Sequence, residues 1–276
     1  ANGNGNADAY LAELAIFVKT NDLHGLAIID SGIAPHKSSI NAHRQNLQKI
    51  FGSKAHCIIL PSKQATESKN PQRAKCVGGI TIIKLSPEVS IDRQFSDPSG
   101  YGCFHILRLL HKGERLDWIP LYLPSNGTGE PKPESDCLWD KLQIHSNSKH
   151  QVPVKEWIVS QLVKRGKGKG TLCGDTHHTL IMGDFNEDPD KPGTGFSVQT
   201  ELRHEGFSTS WYDKMTDRGL DTQTFHRNSD ITSSIDNALM TLPTEHLVSG
   251  GAGDPDVWCV PGCSDHVPIW VGINLG

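Results

Sequence analysis

Between residues 179 and 182 a short strand-forming run, Thr179-Leu180-Ile181-Met182, passes without a break into Gly183-Asp184-Phe185-Asn186-Glu187. A brief apolar run bounded by glycine reads as a buried strand. The polar residues after it then emerge at the rim of a sheet, where ligand sites of layered α/β proteins gather. Asp184 and Asn186 lie two apart, so on extended backbone both point to one side. One can orient or deprotonate a water; the other can donate hydrogen bonds to an anionic substrate. Near the far end, Ser264-Asp265-His266 runs into the apolar Val267-Pro268-Ile269-Trp270. Together the two clusters suggest metal-assisted attack on a phosphate ester.

Further strand-like runs cover residues 26–29, 57–60, 80–83, 104–110, 118–123, 235–240 and 267–273. Helical periodicity is less common. Leu11, Leu14, Ala15 and Val18 follow one helix face; residues 39–51 end at Gly52. A third helix starts after Pro153, with Val154, Ile158 and Leu162 on one side. The last covers about 197–205, with Gly206 as its stop. Many strands with a few helices predict an α/β (α+β) chain with two sheets packed face to face and helices outside. No repeat is present, and 276 residues fit one large domain. Residues 125–136, 164–178 and the glycine-rich 249–254 read as surface loops.

The formal net charge of −4 argues against tight non-specific nucleic-acid binding, which usually rests on basic residues. It does not argue against transient cleavage, because catalytic carboxylates lower the count and a bound cation reverses the local sign. The 7 cysteines are mostly scattered singly, as in a reduced, intracellular protein. No apolar run is long enough to span a membrane, so no membrane partner is expected.

Hydrolysis of a phosphodiester needs a cation, an activated water and a leaving-group acid. A hard cation such as Mg²⁺ takes oxygen ligands and keeps waters, so one or two carboxylates and the substrate phosphate suffice. Candidates stand at strand ends along the chain: Asp30 after Leu26-Ala27-Ile28-Ile29, Tyr122 within Leu121-Tyr122-Leu123-Pro124, Asp184 with Asn186, Thr224 within Thr222-Gln223-Thr224-Phe225, then Ile235-Asp236 and Asp265-His266.

In this order the motifs resemble the endonuclease/exonuclease/phosphatase superfamily, and most of all the apurinic/apyrimidinic-type endonuclease domain of non-LTR (LINE-type) retrotransposons. Asn2-Gly3-Asn4-Gly5 is similar to its first motif, Gly78-Gly79-Ile80 to its Gly-Gly-hydrophobic strand, and His178-Thr179-Leu180-Ile181-Met182-Gly183-Asp184-Phe185-Asn186 to its LINE-type form. The resemblance implies a four-layered α/β/β/α sandwich of the DNase I-like or exonuclease III-like type. It implies a nuclease using Mg²⁺ or Mn²⁺ that nicks double-stranded target DNA and leaves a 3′-hydroxyl to prime reverse transcription, in a nuclear setting. Asp30 would be the principal metal carboxylate, with Asp265 close to the metal and Asn2 completing the coordination or touching the phosphate. Asp184 would hold the attacking water, Asn186 would hydrogen-bond the scissile phosphate, and Thr224 would contact substrate. Tyr122 would lie near the phosphate or leaving oxygen. His266 would stabilise charge or shuttle a proton, with Asp236 fixing its tautomer.

Three departures from the pattern stand out. Asp30 replaces glutamate and is one methylene shorter. Ser234 takes the place of a basic residue before Ile235-Asp236. The strand expected ahead of Asn2 is absent, which suggests a domain, 1–276, cut from a longer polyprotein that also bears a reverse transcriptase. Two other readings stay open: a phosphoesterase of a small-molecule or lipid phosphate, and a catalytically impaired remnant that only binds DNA.

Overall fold

The computed structural model describes residues 4–33, 35–53, 55–64, 78–125, 137–167, 178–191, 195–227, 231–259 and 265–275. In chain order its first elements are α1 (Asn4–Thr20), β1 (Gly25–Ile29), α2 (Lys37–Phe51), β2 (His56–Leu60) and β3 (Ile80–Lys84). Then come β4 (Ser90–Ser96), β5 (His105–His111), β6 (Glu114–Tyr122), α3 (Leu138–His150), α4 (Val154–Lys167) and β7 (His178–Asp184). The last part holds α5 (Val198–His204), β8 (Thr209–Ser210), α6 (Trp211–Asp217), β9 (Phe225–Arg227), β10 (Ile231–Ser233), β11 (Asp236–Met240), β12 (Leu247–Ala252), α7 (Pro255–Trp258) and β13 (Ile269–Ile273).

A six-stranded sheet in the order β4-β5-β6-β7-β11-β8 forms one inner layer. The strands β6 and β7 run parallel in its middle, and their other partners are antiparallel. Helices α3, α4 and α5 cover its outer face, where Val154, Trp157, Ile158 and Leu162 pack against Phe104, Ile106, Ile119 and Ile181. The apolar stripe of α4 read from the sequence is fully buried here. Each large side chain buried in this way stabilises the fold by about 1.5–3 kcal/mol.

The second inner layer holds β2-β3-β1 and β12-β13. Ile80 and Ile82 of β3 meet Leu107 of the first sheet. Ile269, Val271 and Ile273 of β13 pack with Leu180, Ala238 and Met240. Outside it lies α1, with Leu11 and Leu14 buried against Leu47 of α2, Ile83 and Trp258. The four layers expected from the sequence are therefore present. No described helix is long and apolar enough to cross a membrane.

Several elements differ from the reading above. The strand β4 has only Ile91 and Phe95 as apolar residues and lies at a sheet edge, so its pattern is weak. The helix α3 buries only Leu138, Leu142 and Ser146. Residues 249–252, expected in a loop, are the end of β12 and pair with β13. The glycines there allow close approach, since a Cβ on Gly251 would sit 2.9 Å from Trp270 Nε1.

Candidate active site

The sheet register sets up the site. Tyr122 of β6 pairs with Asp184 of β7, and Asp184 pairs with Asp236 of β11. Three polar residues from distant parts of the chain thus stand in one row across neighbouring strand ends. The backbone of β7 can come this close to β6 because residue 183 is glycine: a Cβ there would lie 2.0 Å from the Leu121 carbonyl oxygen.

Asp184 is 4% exposed, and both its oxygens are engaged. Oδ1 accepts from the Asn186 backbone N–H at 2.7 Å, and Oδ2 accepts from Asn186 Nδ2 at 2.8 Å. The pair meets through this tight turn, with Asn186 in the left-handed region at φ 47°, rather than through the two-residue period of a strand. Asn186 Nδ2 also donates to the Leu123 carbonyl at 2.6 Å. These bonds hold Asn186 against Asp184 and the end of β6, at the lining of the cavity.

Glu187, next in the chain, binds a separate set of elements. It accepts from Lys155 Nζ of α4 at 2.7 Å, from Ser197 Oγ at 3.0 Å, and from the backbone N–H of Val198 and Gln199 at 3.0 and 3.1 Å. This carboxylate caps α5 and ties it to the turn that carries Asn186. Nothing in the sequence pairs it with Lys155, 32 positions away.

His266 enters from the segment before β13. Its Nδ1 is 2.8 Å from Asp236 Oδ2, and its Nε2 is 4.0 Å from both Asp184 Oδ2 and Asp265 Oδ1. The segment is held by β9: His226 N–H donates to the Asp265 carbonyl at 2.7 Å, and the Phe225 ring lies 5.1 Å from the imidazole. Thr224 is fully buried. Its hydroxyl accepts from the Asp236 N–H at 3.0 Å, and its carbonyl accepts from the Val267 N–H at 2.9 Å. Through these two bonds Thr224 ties the start of β11 to the segment that carries His266. Asn237 continues that support inward, donating to Gln199 Oε1 at 2.8 Å and accepting from the Tyr212 N–H at 3.0 Å.

Asp30 comes from the other sheet. It adopts φ 50°, and its Oδ1 accepts from the Gly78 N–H. Gly32 N–H returns a bond to the Gly78 carbonyl at 3.0 Å, which fixes the loop. The exposed carboxylate faces the row of strand ends closely enough for its charge to act on Tyr122 and Asp184. Asn2 lies outside the described residues, as does Ser264.

The electrostatics follow from this crowding. Burial, then the charge of Asp236, pushes the Asp184 carboxyl well above its ordinary range, while His266 pulls it back. Burial disfavours a charged His266, but the hydrogen bond and charge of Asp236, with Asp184 and Asp265, raise it to about 9. Burial raises the Tyr122 phenol, and Asp30 and Asp184 add to the effect, so it stays protonated. A proton donor, a base and a charged imidazole are thus gathered at one mouth.

The surplus of carboxylate oxygens there suits a hard cation. Among the described residues no three His, Cys, Asp or Glu side chains converge into a metal cluster of their own. Asp30 and Asp265, both exposed, fit a cation that keeps waters and takes part of its coordination from substrate.

The chain is similar in structure to proteins of one class. A 3′-5′ exonuclease (NExo) from Neisseria meningitidis shares a TM-score of 0.57 at 14% identity, over 97% of this chain and 95% of that one. An AP endonuclease from Archaeoglobus fulgidus gives 0.56 at 16% identity, over 96% and 94%. An endonuclease/exonuclease/phosphatase family protein from Leptotrichia buccalis gives 0.54 at 13% identity, over 98% and 95%. At such identities the likeness shows the fold, which is the DNase I-like sandwich of these proteins. No protein-family model and no curated protein sequence matches the chain.

Proposed function

We propose that the chain is a divalent-metal-dependent endonuclease that hydrolyses DNA phosphodiester bonds. The observation that carries this reading is the placement of His266 between Asp236 and Asp184, opposite Asp30, at one end of both sheets. Similarity in fold to an AP endonuclease and an exonuclease supports DNA as the substrate class.

Mg²⁺ or Mn²⁺, held by Asp30 and Asp265, would supply Lewis-acid stabilisation of charge on the phosphoryl oxygens. Asn2, by the likeness of its motif, would complete the coordination or contact the phosphate. Asp184, held by Asn186 and with raised proton affinity, takes a proton from the attacking water. The water oxygen bonds to phosphorus as the bond to the 3′-oxygen breaks, and that oxygen takes a proton, from charged His266 or from solvent, to become the 3′-hydroxyl. His266, charged at neutral pH, faces the developing negative charge through Nε2 while Asp236 holds Nδ1. Tyr122 keeps its proton and can donate it as a hydrogen bond to the phosphate or leaving oxygen.

The finer reading is that the nick leaves a 3′-hydroxyl that primes reverse transcription, within a LINE-type element whose polyprotein also carries a reverse transcriptase and works in the nucleus. The order of motifs from Asn2 to His266 supports it.

Supercoiled plasmid tests the proposal. Purified protein with Mg²⁺ is expected to yield the relaxed form, and Asp184→Ala and His266→Ala to lose it. No relaxed form from the parent, or equal cutting by both variants, would sink the proposal. Release of phosphate from small soluble esters without nicking would move the substrate class. End mapping on a defined duplex reports which bond breaks.

A further inference from the structure

Asp97 stands just past the end of β4 and is buried, at 7% exposure. A carboxylate in such a place costs free energy unless donors surround it. Here they do. Oδ1 accepts from the Ser99 N–H at 2.7 Å, and Oδ2 accepts from Ser99 Oγ at 2.6 Å and from the Cys103 N–H at 2.9 Å. The Gly102 N–H also donates to this carboxyl group. Ser99 Oγ in turn accepts from the Tyr101 N–H at 3.2 Å. The Asp97 carbonyl takes the Gly100 N–H, and the Asp97 N–H reaches the Phe104 carbonyl, both at 3.2 Å. The turn from 97 to 104 is thus wound around one buried side chain, and converging N–H groups of this kind make a well-defined concavity.

The turn passes its shape outward through backbone groups. The Tyr101 carbonyl accepts from the Gly79 N–H at 3.1 Å, and the Cys103 carbonyl accepts from the Tyr122 N–H at 2.7 Å. The Gly79 carbonyl then accepts from the Ser31 N–H at 3.1 Å, and the Gly78 carbonyl from the Gly32 N–H at 3.0 Å. The Gly78 N–H closes the series by donating to Asp30 Oδ1. These backbone segments touch directly. A Cβ on Gly102 would lie 2.6 Å from Gly79 Cα, and one on Gly78 would lie 2.5 Å from the Tyr101 carbonyl oxygen. Little slack separates the Asp97 turn from the segment that holds Asp30. Cys103 lies near both carboxylates: burial raises its thiol, and the charges of Asp97 and Asp30 raise it further.

Neither Asp97 nor any other residue of its turn lines the cavity of about 1350 Å³ that Asp30, Tyr122, Asp184 and His266 line. Asp97 therefore acts through backbone and not by touching substrate. Asp30 is the residue that gains most from such support. It is exposed, it stands at a strand end with φ 50°, and its Oδ1 is oriented by Gly78. A ligand carboxylate held by a fixed donor loses less freedom when it binds a cation, so its outer partners set part of the affinity.

We propose that Asp97 is a positioning residue of the active site: its buried carboxylate shapes the turn 99–103, which seats Gly78 and Gly79 and through them aims the Asp30 carboxylate at a divalent cation. This rests on the reading of Asp30 as the metal carboxylate. The role requires an acceptor at both Asp97 oxygens. Asparagine has the same shape, but its NH₂ would face either the Ser99 N–H or the Cys103 N–H, so donor meets donor whichever way the amide is turned.

The test compares the parent with Asp97→Asn, with the milder Ser99→Ala, and with Leu242→Ala, a buried residue past the end of β11 away from the site. Two quantities are measured without DNA: hydrogen exchange of the amides of Ser31, Gly32, Gly78 and Gly79 by NMR in metal-free protein, and Mn²⁺ affinity by calorimetry. Asp97→Asn is expected to speed the four amides by about tenfold. It is also expected to weaken Mn²⁺ binding by about tenfold. Ser99→Ala shifts both in the same direction and by less, while Leu242→Ala lowers the urea midpoint and shifts neither. Unchanged exchange in folded Asp97→Asn, or parental Mn²⁺ affinity, overturns the proposal. Should Asp97→Asn fail to fold, either result in Ser99→Ala overturns it. Equal shifts in Leu242→Ala trace the effect to general loss of stability and overturn it too. Asp30→Ala checks the underlying reading separately: Mn²⁺ binding equal to the parent's, or none by the parent, removes Asp30 as the metal carboxylate, and the role of Asp97 falls with it whatever the exchange shows.

Discussion

His266 Nδ1 stands 2.8 Å from Asp236 Oδ2, while Nε2 of the same ring lies 4.0 Å from Asp184 Oδ2. The ring is anchored at one nitrogen and presents the other to the carboxylate that ends β7. Asp236→Asn keeps the shape but removes the charge that orients and protonates the imidazole. Plasmid nicking is expected to fall by about 100-fold, with the urea midpoint moving little. Undiminished nicking would take Asp236 out of the machinery.

His105 predicts an acid-sensitive fold. It is 1% exposed, neither ring nitrogen has a hydrogen-bond partner among the described residues, and burial lowers its pKa from 6.5 to about 4. Above pH 6.5 the ring is neutral in both folded and unfolded chains, so it adds no pH dependence. As pH falls below 6.5 the unfolded chain takes up the proton first, and stability drops until about pH 4. The full loss is about 3 kcal/mol. His105→Leu is expected to flatten that span in urea titrations at several pH values. An unaltered slope assigns the sensitivity to other groups.

Arg108 and Asp117 form a two-pronged ion pair between β5 and β6, at 2.9 and 3.0 Å, with both side chains buried. Arg108→Met removes the cation that pairs with the buried Asp117 carboxylate and should cost about 3–5 kcal/mol. Adding Asp117→Leu to it removes the buried charge and is expected to restore most of that loss. Equilibrium unfolding of the single and double variants decides. A double variant no more stable than the single one contradicts this account.

Gly183→Ala should be among the most damaging single changes. The new methyl would meet the Leu121 carbonyl oxygen at 2.0 Å, and the strands β6 and β7 cannot part without moving Tyr122 and Asp184. A loss above about 4 kcal/mol, or insoluble protein, is expected. A variant with parental stability and nicking would show that the strands have slack here.

Much of the site was legible because its residues sit at ends of strongly patterned strands. The apolar runs before Asp30 and Asp184 gave both positions, and the four-layer arrangement followed from the same runs. What stayed hidden depends on partners far away in the chain. A threonine near a strand start says nothing of where its hydroxyl points, and the bond from Thr224 to Asp236 could not be read ahead of the structure. The tie from Asn186 to the Leu123 carbonyl was hidden as well, since that partner is 63 residues away. The edge strand β4 and the glycine-bearing β12 escaped because edges tolerate polar and small residues.

Glu187 has a consequence for how the site is tuned. Its carboxylate fastens α4 and the start of α5 to the turn whose next residue, Asn186, grips the base. Neither helix has a described residue lining the cavity, yet together they frame the turn that sets its aim. Substitutions that shift the seating of α4 by a fraction of an ångström can therefore detune cleavage from the far side of the sheet, leaving every reacting group in place.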